Sequence, residues 1–192
     1  PVQHGVGRRT AEQVQVVFRP AGHGQDAARP HLLHNGPGSL GLMLASRHEL
    51  INREFLDFID DSSGHHRGAL FAEIRLNNRS HVIGCTHPTA NLGATIDYPT
   101  SGKHGSWEGE NRFMQEQMIA FANNKAGDNP IFFAGDFNCS IANASTGVDA
   151  DFADNCQLWL ADGFADPAGD QLPCSYCEEE NLLLLIPPTG TE

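Results

Sequence analysis

Two polar side chains follow a short apolar run, in the tetrapeptide Gly135-Asp136-Phe137-Asn138. The run 130–134 predicts a buried strand, Gly135 permits a sharp backbone change, and residues two apart on an extended chain point to one side. A carboxylate and an amide in one pocket suit phosphoester hydrolysis, because the carboxylate can orient or deprotonate water while the amide donates to a phosphoryl oxygen. Asp136 and Asn138 are therefore predicted catalytic residues. The alternative is a strand-end turn in which both side chains bond to the backbone.

The elements that must position these residues can be predicted from hydrophobic periodicity. Apolar residues recur at spacings of three and four between residues 106 and 125, which indicates a helix that Ser106 caps and Gly127 ends. Strict alternation over residues 70–76 indicates a strand with one core face, joined by the turn 77–79 to the next strand. The predicted strands are 39–45, 55–59, 70–76, 81–86 and 130–134, and the second predicted helix is 154–161.

Strands that alternate with helices but include an antiparallel hairpin indicate an α/β protein with a mixed sheet covered by helices. Residues 1–37 are rich in Gly, Pro, His and Arg, and are predicted to be an irregular segment of the same domain whose core is formed by 38–192. Only residues 14–18 look strand-like within that segment. A single domain and a monomer are expected.

Charge and composition restrict the function classes. The formal net charge of −12 disfavours tight binding to phosphate polymers unless a local cationic groove or a metal ion compensates. No apolar run approaches the length of a membrane span, so a soluble protein is expected. The first residue is Pro1 and the sequence stops at Glu192 without a terminal motif, which suggests a processed or truncated chain; its compartment, secreted or cytoplasmic, stays open.

Five cysteines are too few for a disulfide scaffold and leave one unpaired even if the others bridge. Cys174 and Cys177 form a single C-x-x-C, for which ordinary thiols or one local disulfide are favoured over zinc, because no second ligand pair follows. Cys139 lies next to Asn138, but no base motif accompanies it and a nucleophilic role is disfavoured. The acidic run 178–180 is interpreted as a solvated loop.

The order of several motifs resembles the endonuclease/exonuclease/phosphatase superfamily, which includes DNase I-like nucleases, sphingomyelinases and inositol-phosphate phosphatases. Residues 135–138 resemble its G-D-F-N motif, and the flanking pieces occur in the family's order. These pieces are 41–47 (G-L-x-x-L-S-R), 67–70 (R-G-x-L), 84–87 (ending in T-H), 112–115 (R-x-x-Q) and 160–166 (L-x-x-G-F-x-D). The resemblance covers residues from about 38 to about 181.

The resemblance implies a two-sheet α/β sandwich of the DNase I-like type and Mg²⁺- or Mn²⁺-dependent hydrolysis of a phosphodiester by water. It also implies that His87 lies beside the scissile phosphate and donates a proton or hydrogen bond, a role that suits an imidazole. Arg47 and Arg112 are interpreted as structural, because arginines beside core residues commonly pair with carboxylates.

Two motifs of the family have no counterpart in the sequence. The glutamate of an N-terminal Q-E pair is absent, since Gln3-His4 offers histidine instead, and no terminal D-H pair follows Asp170. The metal ligands are therefore unidentified, with Asp136 and Asn138 as candidate second-site ligands. The expectation is a domain truncated at both ends and inactive alone, within an enzyme that acts on a small or lipid phosphodiester. A DNase-like endonuclease and a catalytically dead binding homologue are the alternatives.

Overall fold

The computed structural model describes residues 42–142 and 150–166, together with two short strands at 6–8 and 31–34. Six strands form one sheet in the order β4-β5-β6-β7-β1-β8, in which β4 and β8 are the edge strands. Strands β2 and β3 pair separately as an antiparallel ribbon. The strands are β1 Val6–Arg8, β2 His31–His34, β3 Met43–Ser46, β4 Ile51–Asp57, β5 Gly68–Leu76, β6 Arg79–Thr86, β7 Ile131–Gly135 and β8 Phe164–Ala165, and the helices are α1 Trp107–Ala126 and α2 Ala153–Ala161.

The predicted hairpin β5–β6 is confirmed, but its turn has two residues, whereas 77–79 was expected, because Arg79 already belongs to β6. Leu76 pairs with Arg79, and the intervening Asn77 and Asn78 have φ of 48° and 62°. A tight hairpin turn needs positive φ at both central positions, and asparagine tolerates this conformation better than most residues. The pair β6–β7 is parallel, with Val82 opposite Ile131, whereas the other pairs in the sheet are antiparallel. The predicted mixed sheet is confirmed.

Helix α1 provides the connection between the parallel strands β6 and β7. Its Ser106 hydroxyl accepts a hydrogen bond from the Gly109 amide at the N-terminus, and Gly127 ends it, as predicted. The helix packs its apolar side on the sheet and forms the larger core with residues of β5, β6 and β7. This arrangement brings the C-terminal ends of β6 and β7 to the same edge of the sheet.

Strand β5 is buried on both faces, so the prediction of a single core face is wrong. Ala69 and Phe71 pack in the core beneath α1, while Leu70 and Ala72 pack in a second core with Leu44 of β3. Alternation arises only toward the end of the strand, where polar residues replace apolar ones on one face. A central strand that is covered on both sides has no solvent-exposed face, so it lacks the regular polar positions that would indicate one.

Strand β4 begins earlier than predicted, at Ile51, and ends at Asp57, whereas 55–59 was expected. Its first residues are mostly exposed, which is usual for an edge strand and weakens the apolar signal. Residues 6–8 and 31–34 form strands, so irregular structure does not extend through all of 1–37. These strands are three and four residues long, too short for a periodic pattern. The strand-like residues 14–18 lie outside the described part.

Helix α2 is attached to the end of β7 by a disulfide that the sequence did not predict. Cys139 and Cys156 are bonded, 17 residues apart, and Trp159 of α2 is buried against Phe137. None of the described helices is long and apolar enough to cross a bilayer. Cys174 and Cys177 lie outside the described residues.

Loss of this disulfide is expected to lower the free energy of unfolding by about 3 kcal/mol, because the bridge closes a loop of 17 residues that restricts the unfolded chain. The comparison is between wild type and the Cys139→Ala/Cys156→Ala variant in urea denaturation. A reductant should destabilise the wild type and leave the double variant unchanged. Equal sensitivity of both proteins to the reductant would contradict the expectation.

Candidate active site

His87 and Asp136 follow directly from the neighbouring ends of the parallel strands β6 and β7. Thr86 lies opposite Gly135, and the Asp136 amide donates to the Thr86 carbonyl at 3.2 Å, which continues the strand pairing by one step. The His87 Nε2 and Asp136 Oδ2 atoms are 3.8 Å apart. Both side chains are partly exposed, at 32% and 22%, so solvent reaches this pair.

Each carboxylate oxygen of Asp136 has a different neighbour. Oδ1 accepts the backbone amide of Asn138 at 3.0 Å, while Oδ2 faces His87. The first contact is the strand-end turn that was the alternative interpretation of the motif. It fixes the carboxylate, and it leaves the second oxygen directed toward the imidazole. The strand-end turn therefore accounts for Oδ1, and the catalytic interpretation concerns Oδ2.

The orientation of Asn138 is not set by the alternation of an extended strand, on which the prediction of a shared pocket with Asp136 was based. Strand β7 ends at Gly135 and Asn138 has φ of 48°, hence the alternation of an extended chain no longer applies. The Asn138 side chain is only 4% exposed overall, and its Nδ2 donates to the Pro88 carbonyl at 2.8 Å. It ties the His87 segment to the Asp136 segment from beneath. A catalytic role for Asn138 stays a prediction.

Arg67 belongs to the site, although no role was assigned to it from the sequence. Its Nη1 donates to the carbonyls of Pro88 at 2.8 Å and His87 at 3.4 Å, and its Nε donates to the Ser63 hydroxyl. The side chain is buried, and burial lowers the pKa of its guanidinium, while Asp61, Asp136 and Glu110 act in the opposite direction. Arg67 is the first residue of the R-G-x-L motif, but its contacts with the carbonyls of His87 and Pro88, about 20 residues away, could not be predicted from that motif.

The remaining candidates have less direct positions. Arg112 is exposed and its Nε donates to Glu116 Oε1 at 3.0 Å, which agrees with its structural interpretation. Arg47 is exposed and stays a prediction. Cys139 is bonded to Cys156 and has no free thiol for nucleophilic attack. The acidic run 178–180 lies outside the described residues.

The His87 imidazole has a lowered pKa, chiefly because burial disfavours its charged form. The positive charge of Arg67 lowers this pKa further, the Asp136 carboxylate raises it, and His65 has a small lowering effect. The folded protein therefore binds protons less readily at this position than the unfolded chain. The associated stability is present above the ordinary pKa of 6.5 and is lost as the pH falls through the lowered value.

The free energy of unfolding should consequently decline between pH 7 and pH 5, and this decline should be smaller in His87→Gln. Urea denaturation at several pH values measures both slopes. The variant His48→Gln, at an exposed position, is a control that should follow the wild type. An undiminished slope in His87→Gln would contradict the assignment.

A profile of the Endonuclease/Exonuclease/phosphatase family matches residues 6–175. The chain belongs to this family. The prediction made from its ordered motifs is thus confirmed, and its mixed α/β fold is consistent with the DNase I-like fold of the family. Members of the family are hydrolytic phosphoesterases and commonly use divalent metals. No curated protein matches the chain.

Solved structures of other proteins resemble this family member at low identity. Sphingomyelinase C from Streptomyces griseocarneus is 20% identical, with a TM-score of 0.45 over 64% of this chain and 38% of that one. SmcL is 18% identical, with a TM-score of 0.45 over 65% and 40%. TDP2 from Caenorhabditis elegans is 14% identical, with a TM-score of 0.45 over 58% and 31%. The chain thus spans less than half the length of each of these proteins.

A divalent cation does not find a complete set of ligands in the described part of this family member. Residues 42–142 and 150–166 contain no group of three His, Cys, Asp or Glu side chains arranged to hold a metal. Asp136 offers one carboxylate, whose Oδ1 already accepts an amide, and Asn138 could offer only its Oδ1, because its Nδ2 donates to Pro88 and an amide nitrogen is not a ligand of Mg²⁺. Mg²⁺ is usually held by one or two carboxylates together with water, and among the described residues at this site Asp136 is the one candidate carboxylate.

Proposed function

We propose that the protein is a phosphodiesterase-type hydrolase in which Asp136 and His87 act on a phosphodiester at the edge of the sheet. The observation that carries the proposal is the 3.8 Å approach of His87 Nε2 to Asp136 Oδ2 at the open ends of two adjacent parallel strands. A carboxylate and an imidazole this close together can both contact one phosphate group, and the water that attacks it, from the same side. Family membership supports the reaction class.

In the proposed reaction, water attacks phosphorus, and the ester bond breaks with its electron pair on the leaving oxygen, which takes a proton from solvent. Asp136 Oδ2 orients the water and accepts its proton, because this oxygen is not occupied by the turn contact. His87 donates a hydrogen bond or proton to a phosphate oxygen. The Asn138 NH₂ group donates one hydrogen to Pro88, and in this reaction it donates its second hydrogen to a phosphoryl oxygen.

Dependence on Mg²⁺ or Mn²⁺ is included in the proposal because the family commonly uses divalent metals. No step is assigned to the cation, since the described residues do not provide its ligands. The two-sheet sandwich is proposed as the complete architecture. Its support is the second core, in which Leu42, just before β3, and Leu44 of β3 pack on Leu70 and Ile83 of the large sheet.

The proposed substrate is a small or lipid phosphodiester, and the proposed state is a monomer. The net charge of −12 repels phosphate polymers, so it weighs against a DNase-like endonuclease, which is the second candidate. The disulfide between Cys139 and Cys156 supports an oxidising compartment, because such bridges are rare in the cytosol. A binding homologue without catalysis is favoured only by the lack of a three-ligand metal group within residues 42–142 and 150–166.

The decisive experiment compares the full-length protein on sphingomyelin, inositol phosphates and plasmid DNA, each with EDTA, Mg²⁺ or Mn²⁺. Turnover of one class that depends on the cation and disappears in Asp136→Ala is expected. Cleavage of DNA that falls steeply with salt would favour the endonuclease. Binding of a phosphodiester without turnover under every condition would favour the binding homologue and refute the enzyme.

A further inference from the structure

Two side-chain amides on α1, those of Asn111 and Gln115, lie directly beneath the candidate active site. Both are fully buried, although they occupy the helix face that otherwise packs apolar residues on the sheet. Burial of an amide is unfavourable unless its hydrogen-bonding groups are satisfied. Their partners therefore indicate why amides stand at these positions.

The orientation of both amides follows from partners that can only donate or only accept a hydrogen bond, an indole N–H and backbone carbonyls. Trp159 Nε1, which can only donate, is 2.7 Å from Gln115 Oε1, so the NH₂ group of Gln115 faces the other side. That NH₂ donates to the Phe137 carbonyl at 2.8 Å. Asn155 Nδ2 donates to Asn111 Oδ1 at 3.0 Å, and Gln115 Nε2 reaches the same oxygen at 3.3 Å. The Asn111 NH₂ group is thereby directed at backbone carbonyls.

The Asn111 NH₂ group joins the two segments that carry the site. It donates to the Thr89 carbonyl at 2.7 Å, two residues after His87. It also lies 3.3 Å from the Phe137 carbonyl and 3.4 Å from the Asn138 carbonyl, one and two residues after Asp136. A single amide thus spans the segments beyond β6 and β7, where no strand pairing remains to hold them together.

A second connection lies on the same side, at the carbonyl of Pro88. This oxygen accepts both Asn138 Nδ2 and Arg67 Nη1, each at 2.8 Å. The His87 segment is therefore tied at Pro88 and Thr89, and the Asp136 segment at Phe137 and Asn138. These hydrogen bonds can hold two reacting groups in place to within a fraction of an ångström. That precision matters because a displacement of about 1 Å can reduce a rate about 100-fold.

We propose that Asn111 is a positioning residue that sets the distance between His87 and Asp136, with Asn155 and Gln115 orienting its amide. The expected effect of Asn111 on kcat rests on the proposed function, whereas its expected effect on the positions of the His87 and Asp136 segments does not. A purely structural role would satisfy the exposed ends of the strand backbone and affect stability alone. A folded variant that lacks the Asn111 NH₂ group should lose activity and local order at the site if Asn111 is a positioning residue, and should lose only stability if its role is purely structural.

The test uses Asn111→Asp, which keeps the size of the side chain and replaces its NH₂ group by an oxygen that cannot donate to three carbonyls when ionised. Asn124→Asp is the matched control, because it makes the same change on the exposed side of the same helix. Each substitution is made in the full-length protein and compared with the wild type by urea denaturation, by kcat and KM for bis(p-nitrophenyl) phosphate, and by amide hydrogen exchange.

In Asn111→Asp, kcat is expected to fall about 10- to 100-fold while KM changes little. Exchange of the Asp136 and Asn138 amides should increase at least about tenfold relative to that of residues 69–72 in β5. The control should match the wild type in all three measurements. Unchanged kcat together with unchanged exchange at Asp136 and Asn138 would overturn the proposal.

Two further outcomes are also decisive. If Asn111→Asp does not fold, Asn155→Ala replaces it, since Asn111 Oδ1 keeps its contact with Gln115 and a smaller effect in the same direction is expected. Normal kinetics and normal exchange in that variant would overturn the proposal. If the wild type hydrolyses no phosphodiester, the proposed function fails, but increased exchange at Asp136 and Asn138 still supports the coupling and its absence still refutes it.

Discussion

Replacement of Asp136 by asparagine is expected to reduce kcat by about 10²- to 10⁴-fold, the range associated with loss of a general acid or base. The amide oxygen of asparagine can still accept the Asn138 backbone amide, which Asp136 Oδ1 accepts at 3.0 Å. The turn after β7 is thus retained. What is lost is the anionic Oδ2 that faces His87, because an NH₂ group at that place cannot take a proton from water.

The measurement is kcat and KM on whichever phosphodiester the substrate comparison identifies, with urea denaturation as a check of folding. Asp128→Asn is the matched control, since it removes one carboxylate from an exposed turn before β7 and alters the net charge equally. The control should retain full activity. Retention of kcat to within tenfold in Asp136→Asn would show that this carboxylate is not the base.

Much of the fold could be predicted because local sequence dictates local structure. The N-cap at Ser106, the hairpin turn at Asn77 and Asn78, and the alternation of strand and helix are all properties of neighbouring residues. The resemblance to the family implied that His87 lies beside the scissile phosphate, and this role stays a prediction, whereas the parallel pairing of β6 and β7 was not predicted. The prediction failed at β5 because a central strand is buried on both faces and carries no one-sided pattern.

The supporting contacts of the site could not be predicted because they join residues far apart in the chain. The bond from Asn138 to Pro88 spans 50 residues and that from Arg67 to Pro88 spans 21. No local propensity encodes such a pair, and a polar residue in an amphipathic helix such as Asn111 looks identical whether it faces solvent or a buried carbonyl. The partner of Cys139 was equally hidden, since five cysteines allow many pairings.

The connection between fold and site is most sensitive at Gly135, where Gly135→Ala is expected to lower the free energy of unfolding by about 2 to 6 kcal/mol. A Cβ atom there would lie 2.3 Å from the Thr86 carbonyl oxygen and 2.8 Å from the Thr86 amide nitrogen. Both are backbone atoms of the pairing between β6 and β7, so they cannot rotate away. Overpacking contributes about 1–3 kcal/mol, and an L side chain at φ of 151° contributes about 1–3 kcal/mol more.

The variant Gly163→Ala separates these two contributions, because Gly163 also has positive φ, at 92°, but a Cβ atom there meets nothing within 4 Å. Its cost should be limited to the backbone part, about 1–3 kcal/mol, as measured by urea denaturation. Equal destabilisation by the two variants would mean that the Thr86 contact carries no energy. A larger loss in Gly135→Ala instead shows that the strands must approach this closely, and Thr86 and Gly135 immediately precede His87 and Asp136. The close approach at position 135 thus sets the strand pairing from which His87 and Asp136 follow.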